Sequence, residues 1–310
     1  MGALIYSLSG LRLISDLPLF GLEVCPNDDK GGCDVAIRCA RIPDEIASVA
    51  PRYRDGPYSE RSNGKEVLLD IWPVGRFLVR EGNEILIELA TPCDHDEARA
   101  YLLGLVFGAL CHQRGITPLH ASAIDVTDGC VAFVGDSGAG KSTMAAILAQ
   151  RGHHVITDDV CFVQLSNEGD VRVWPGIRRI RLWEDARAAL GFEGPGIVRE
   201  IHRYNKFVIP LHPLRNPKQS RPLRGIYQLR HVPKGAEQLT RLQGSAAAEV
   251  LMQNVYQSGF AERSGYMSQV FITCAAAARE VPVFQFGRTR DFARMAPGVE
   301  MLEDHLSTLC

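Results

Sequence analysis

The pattern of apolar and polar residues changes twice along this chain of 310 residues. Up to about residue 90, short apolar runs (LRLISDLPLF, DVAIRCARI, EVLLDIWPV, RFLVREG and NEILIELA) are separated by clusters of Gly, Pro, Asp and Asn. Strands bounded by turn residues read this way. The alternation in Arg76 to Arg80 and in Glu84 to Leu89, around Glu81-Gly82-Asn83, predicts a β-hairpin. Residues 1–93 are therefore expected to form a small β-rich domain.

From Asp94 to Gln113 the pattern turns helical. DHDEARAYLLGLVFGALCHQ is rich in Ala and Leu, carries its acids at the start and stops at Arg114-Gly115, as a mostly buried helix does. It is expected to be the hinge to a second domain, 94–310. Beyond it, strand-like and helix-like segments alternate, the mark of an α/β domain. LHASAIDV and CVAFVG read as strands joined at Thr127-Asp128-Gly129. A helix from Lys141 to about Gln150 follows, with Gly152 behind it, and then HHVITDDVCFVQL as one strand. Cys274 to Arg279 reads as helix, VPVFQFGR as strand, and Val299 to Leu309 as a last helix. Pro210 to Pro222, with four prolines and several basic residues, reads as a mobile loop.

Composition narrows the function classes. With 46% hydrophobic residues the chain can bury two cores. Its 34 Lys and Arg against 36 Asp and Glu leave a formal charge of −2, so no overall basic field points to nucleic acid or an anionic membrane. The nine cysteines are scattered and often sit in apolar runs, which suits reduced thiols in a cytoplasmic protein better than a disulfide framework. Cys25, Cys33 and Cys39 lack the fourth ligand and tight spacing of a metal site. The N-terminal segment has no basic region ahead of its apolar run and reads as no signal peptide.

Candidate chemistry is concentrated in one stretch. Gly135-Asp136-Ser137-Gly138-Ala139-Gly140-Lys141-Ser142 matches G-x-x-x-x-G-K-[ST] directly after an apolar run and directly before a helical one. Glycines let successive backbone N–H groups converge on phosphate oxygens, and the helix N-terminus adds its dipole there. The expected nucleotide contacts are this octapeptide and Thr143, with Lys141 on the β- and γ-phosphates and the Ser142 hydroxyl on Mg²⁺. The cofactors read from it are ATP and Mg²⁺. A structural glycine turn would need no Lys followed by Ser.

Asp158 and Asp159 end the next strand, and two adjacent carboxylates are costly unless cations or transferable protons share their site. One can bind the metal and the other can take the proton of an acceptor hydroxyl; Asp158 is assigned as base and Asp159 to the metal. His120, one short strand upstream, is a candidate to assist, against the commoner reading of a lone histidine as filler. Arg179 and Arg181, alternate residues of a strand, can share a face toward phosphates or a peptide carboxylate, against the reading of a solvated basic edge. Lys206 and Arg288 carry the same pair of readings.

At these residues the sequence resembles the C-terminal catalytic domain of HPr kinase/phosphorylase, a bacterial enzyme that phosphorylates a serine of a phosphocarrier protein. The resemblance rests on GDSGAGKST, RGHHVITDDV and the upstream His120, and covers roughly His120 to Val160. It implies an α/β P-loop kinase domain of the HPr kinase C-terminal type behind the β-rich domain. It also implies ATP and Mg²⁺ at Gly135 to Ser142, Asp158 as base and His120 assisting. The order of elements is similar to HPr-kinase-like proteins of lasso-peptide biosynthesis, which implies a serine of a precursor peptide as acceptor. The second glycine-rich signature of the bifunctional enzymes is missing after the aspartates, where WPGIRRIRLWEDA stands. The expected partner is thus a peptide or small protein offering a serine hydroxyl, with no nucleic acid and no membrane, and with homo-oligomerisation left open. A phosphocarrier kinase, a small-metabolite kinase and a non-catalytic nucleotide-binding module are the other readings of the same motif.

Overall fold

The computed structural model describes residues 4–19, 21–25, 32–44, 53–55, 58–200, 205–212 and 218–309. These fall into two compact units, 1–118 with 256–270, and 119–255 with 271–310.

The first unit carries β1 (Leu4–Leu8), β2 (Leu11–Ser15), β3 (Glu23–Val24), β4 (Val35–Cys39), β5 (Tyr53–Asp55), β6 (Tyr58–Ser62), β7 (Glu66–Ile71), β8 (Gly75–Arg80) and β9 (Glu84–Leu89) in one sheet, ordered β3-β1-β2-β4-β9-β8-β7-β6-β5. The hairpin expected at residues 81–83 is the β8–β9 connection, where Glu81 and Gly82 take positive φ. Phe77, Leu78 and Val79 are buried in succession, so β8 is covered on both faces.

Asp94 caps the helix that follows, its carboxylate accepting from the N–H groups of Asp96 and Glu97 at 2.8 and 3.3 Å. That helix runs as α1 (His95–Tyr101), a π-turn at Leu102–Val106 and α2 (Phe107–Gln113). Its apolar face packs on β8, so it belongs to the first unit. The unit boundary therefore lies beyond the composition change at 93/94, and the helix is part of the first core. Residues 256–270 return to the same unit, where Arg263 makes a bidentate pair with the buried Glu60, both contacts 2.8 Å.

His112 is buried there in near-parallel stack on Tyr266, centroids 6.1 Å apart. Burial pushes its imidazole down to about 4. The folded group binds its proton more weakly than the unfolded one, so its contribution is present above the ordinary value of 6.5 and lost as pH falls toward 4, by about 3 kcal/mol. Urea unfolding at about pH 7 and about pH 4.5 should show a larger loss for the wild type than for His112→Phe, which keeps the ring but not the proton. Equal losses would remove His112 from the acid response.

The second unit and its approaches carry β10 (Thr117–Leu119), β11 (Ser122–Val126), β12 (Gly129–Val134), α3 (Lys141–Gln150), β13 (Val155–Thr157), β14 (Cys161–Leu165), β15 (Val171–Trp174), β16 (Arg179–Trp183), α4 (Glu184–Ala189), β17 (Val198–Glu200), β18 (Lys206–Pro210), β19 (Arg221–His231), β20 (Gln238–Leu242), α5 (Gly244–Gln253), α6 (Ser258–Arg263, in the first unit), α7 (Met267–Glu280), β21 (Val283–Arg288) and α8 (Ala296–Ser307). Its main sheet is mixed. β12, β19 and β21 are parallel neighbours, while β11 lies antiparallel between β12 and β13. The sheet is therefore not all parallel, but β12 and β13, both antiparallel to β11, still point the same way. β16, β18 and β17 make a separate three-stranded sheet.

Phe133, Leu148, Ile180, Tyr227, Phe286 and Leu302 join the strands, α3 and α8 in one core. HHVITDDVCFVQL is two strands broken at residues 158–160, where Asp159 has φ 74° and the Thr157 hydroxyl donates to the Val160 carbonyl at 2.6 Å. The segment 210–222 begins as the end of β18 and ends as the start of β19, so the connection is 211–220; its residues 213–217 lie outside the described residues. Among the described residues no helix is long and apolar enough to cross a membrane.

Candidate active site

The loop after β12 turns through Gly135, Gly138 and Gly140, with φ of 136°, 82° and 90°, and enters α3 at Lys141. Side chains with a Cβ rarely adopt these values, so the glycines are required by the backbone path. Gly140 is also pressed by a neighbour: a Cβ there would stand 1.6 Å from Arg288 Nη2. The loop's first N–H, on Gly135, donates to Asn254 Oδ1 at 2.8 Å, and Asn254 Nδ2 donates to the Val250 carbonyl at 2.8 Å. Asn254 is buried, and its own carbonyl accepts from the His120 N–H at 2.8 Å. One residue at the end of α5 thus fixes both the start of the loop and the backbone of His120.

Lys141 is buried, with Nζ donating to the carbonyls of Gly135 and Asp136 at 2.7 and 3.1 Å. Burial lowers its affinity for its proton, against the opposing pull of Asp158 and Asp159. Ser137, Gly138, Gly140, Lys141, Ser142 and Thr143 line a cleft of about 750 Å³, large enough for a nucleotide. Gly135, Asp136 and Ala139, expected in the same contact set, are not among its lining residues.

The aspartates occupy two environments. Ser122 starts β11, between the carboxyl ends of β12 and β13, and its hydroxyl donates to Asp158 Oδ1 at 2.5 Å. The Arg181 N–H donates to Asp158 Oδ2 at 2.9 Å, and the nearby Ser142 hydroxyl also favours its charged form. Burial raises the proton affinity of Asp158 in spite of these bonds. Asp159 faces the cleft, with Arg181 Nη1 on its Oδ2 at 2.5 Å and His120 Nε2 at 3.8 Å from its Oδ1. Partial burial pushes its carboxyl up, but the charge of Arg181, with His120 and Lys206, outweighs that and holds it below the usual carboxylate range. His120 is held below its ordinary value, first by burial and then by Lys141.

Of the basic residues, Arg181 reaches Asp159 and lines the cleft. Arg178 instead spans two backbone carbonyls, those of Val155 and His212, and has a structural role. Lys206 lies on the cleft wall with Nζ 4.8 Å from the centre of the Trp183 ring. Ser122, Asn254 and His231, whose Nε2 meets the Gly138 carbonyl at 3.1 Å, are the site residues that motif reading missed. Nothing in their local sequence distinguishes them from ordinary strand and helix ends.

The donor set fits a Mg²⁺-nucleotide rather than a protein-caged metal. Among the described residues no group of three His, Cys, Asp or Glu is placed to hold an ion. Ser142 and Asp158 stand together at the head of α3, the pairing Mg²⁺ takes when phosphates supply its remaining ligands.

No family model matches the sequence, and no curated protein matches it. Among solved structures, the Hpr(Ser) kinase/phosphatase from Coxiella burnetii is similar at 10% sequence identity and a TM-score of 0.30, over 62% of this chain and 97% of that one. The reading of the site therefore rests on its own residues.

Proposed function

We propose that the second unit is a phosphotransferase that binds Mg²⁺-ATP at the loop from Gly135 to Thr143 and phosphorylates a hydroxyl. The observation that carries this reading is the convergence of a glycine-built anion cradle, a buried lysine and Asp159 on one cleft, with the unlike, buried Asp158 directly behind. A cradle alone would bind; the aspartates add the means to take up a proton. Bound nucleotide supplies the phosphoryl group, and its Mg²⁺ neutralises phosphate charge. Lys141, whose Nζ lies on the loop carbonyls, would hold the phosphates, and Ser142 with Asp158 would hold the metal.

The first assignment, Asp158 as base and Asp159 on the metal, is exchanged in this reading. Proton affinity alone would favour Asp158, but a base must first reach its proton. Asp159 lines the cleft, and Asp158 is enclosed by Ser122, Ser142 and the Arg181 N–H. Asp159 accepts the hydroxyl proton at a carboxylate oxygen, while Arg181 and His120 orient it.

The acceptor we propose is a serine of a peptide, with a lasso-type precursor the leading candidate; this part is supported by the sequence resemblance alone. Incubation of the full chain with γ-labelled ATP, Mg²⁺ and serine-containing precursor peptides is expected to give one labelled phosphoserine. Label on free serine or a sugar, with none on peptide, would point to a metabolite kinase. ATP binding with no transfer to any acceptor would support a nucleotide-binding module.

A further inference from the structure

β12, β19 and β21 are parallel, so their carboxyl ends lie along one edge of the sheet. That edge carries the phosphate loop from β12, His231 from β19 and Arg288 from β21, with His231 and Arg288 directly paired. Arg288 is 5% exposed. Its Nη2 and Nε donate to the Ala139 carbonyl at 2.6 and 3.2 Å, and its Nη1 donates to the Thr289 carbonyl at 3.2 Å and meets Met295 Sδ at 3.9 Å.

All of these partners are neutral. Among the described residues no carboxylate pairs with Arg288, and the like charge of Arg290 acts against it. Burying a guanidinium without a counter-charge is costly, and a second arginine alongside adds repulsion. Both side chains nevertheless line the cleft beside Gly138, Gly140 and Thr143. The trans peptide after Ala139 points its N–H opposite to its carbonyl, so by holding that carbonyl Arg288 also sets the direction of the Gly140 N–H.

We propose that Arg288 is a positioning residue for the nucleotide's phosphates: its guanidinium aims the Gly140 N–H and holds in reserve a buried positive charge that only a bound polyphosphate neutralises. This rests on the reading of the loop as a nucleotide site. Arg290, exposed at the mouth, reinforces the same field.

The test compares the full chain with Arg288→Lys, Arg288→Gln and Arg288→Met. Titration calorimetry with Mg²⁺ and the β,γ-imido analogue of ATP is combined with thermal unfolding in its absence and presence. Gln keeps donors for the Ala139 carbonyl but no charge, and Met keeps only bulk. Both should weaken the nucleotide by about tenfold or more and shrink the rise in Tm on binding, whereas Lys should stay within about threefold. Met should leave the nucleotide-free Tm at or above that of the wild type, because an unpaired buried charge has gone. A purely structural clamp would give the opposite result, a lower nucleotide-free Tm with affinity kept. Wild-type affinity in Arg288→Gln would overturn the proposal. If Arg288→Met fails to fold, the comparison of Gln with Lys decides alone. A folded wild type that binds no nucleotide would instead overturn the reading of the loop itself.

Discussion

Lys141→Ala is expected to abolish phosphoryl transfer, by at least about 10³-fold in turnover, and to weaken ATP binding. The ammonium is the one full positive charge that the phosphate loop carries within itself, and its two present partners, the Gly135 and Asp136 carbonyls, are weak competitors for it against a triphosphate. Its burial makes the effect larger, because charge interactions are screened less in a water-poor site. Lys141→Met keeps most of the volume and should lose activity equally while unfolding close to the wild type. Steady-state transfer of label from γ-labelled ATP, with urea unfolding as the control for folding, measures both. Turnover retained in either variant would remove the loop from the mechanism.

The second large effect separates the two aspartates. Asp159→Asn is nearly isosteric and should reduce turnover by about 10² or more, the size of general-base loss, with ATP affinity within a few fold. Asp158→Asn should act chiefly through the metal, raising the Mg²⁺ concentration needed for half-maximal rate, since its oxygens face Ser122, Ser142 and the Arg181 N–H. Titrations of rate against Mg²⁺ for both variants distinguish the roles. The reverse pattern would restore Asp158 as the base, and two unaffected variants would end the kinase reading.

Arg181 connects the two carboxylates, its N–H on Asp158 and its guanidinium on Asp159. Their environments push the two proton affinities apart, which is how paired carboxylates come to take different roles in one site. The burial pattern of β16 explains how the sequence arranges this: Ile180 and Leu182 go into the core, so Arg179 and Arg181 share the other face. That part of the alternation was legible. That Arg181 meets both aspartates was not, because it depends on the separate three-stranded sheet.

What the sequence determined by itself is what is local along the chain. The phosphate loop is contiguous, its glycines are needed by its own backbone, and the strand before it and helix after it follow from their own periodicity. The hairpin at residues 81–83 and the capped helix after Asp94 are of the same kind. HHVITDDVCFVQL misled because Val160, Cys161 and Phe162 continue the apolar run across a turn that only the left-handed Asp159 reveals. Tertiary structure alone decided which carboxylate meets the cleft and which residues serve the loop. Ser122 is near Asp158 because β11 lies between β12 and β13, and Arg288 is near Ala139 because β21 joins the parallel strands ending at the loop. Strand order is set by which apolar faces fit together in the core, and no periodicity within a segment records the partner it will lie beside.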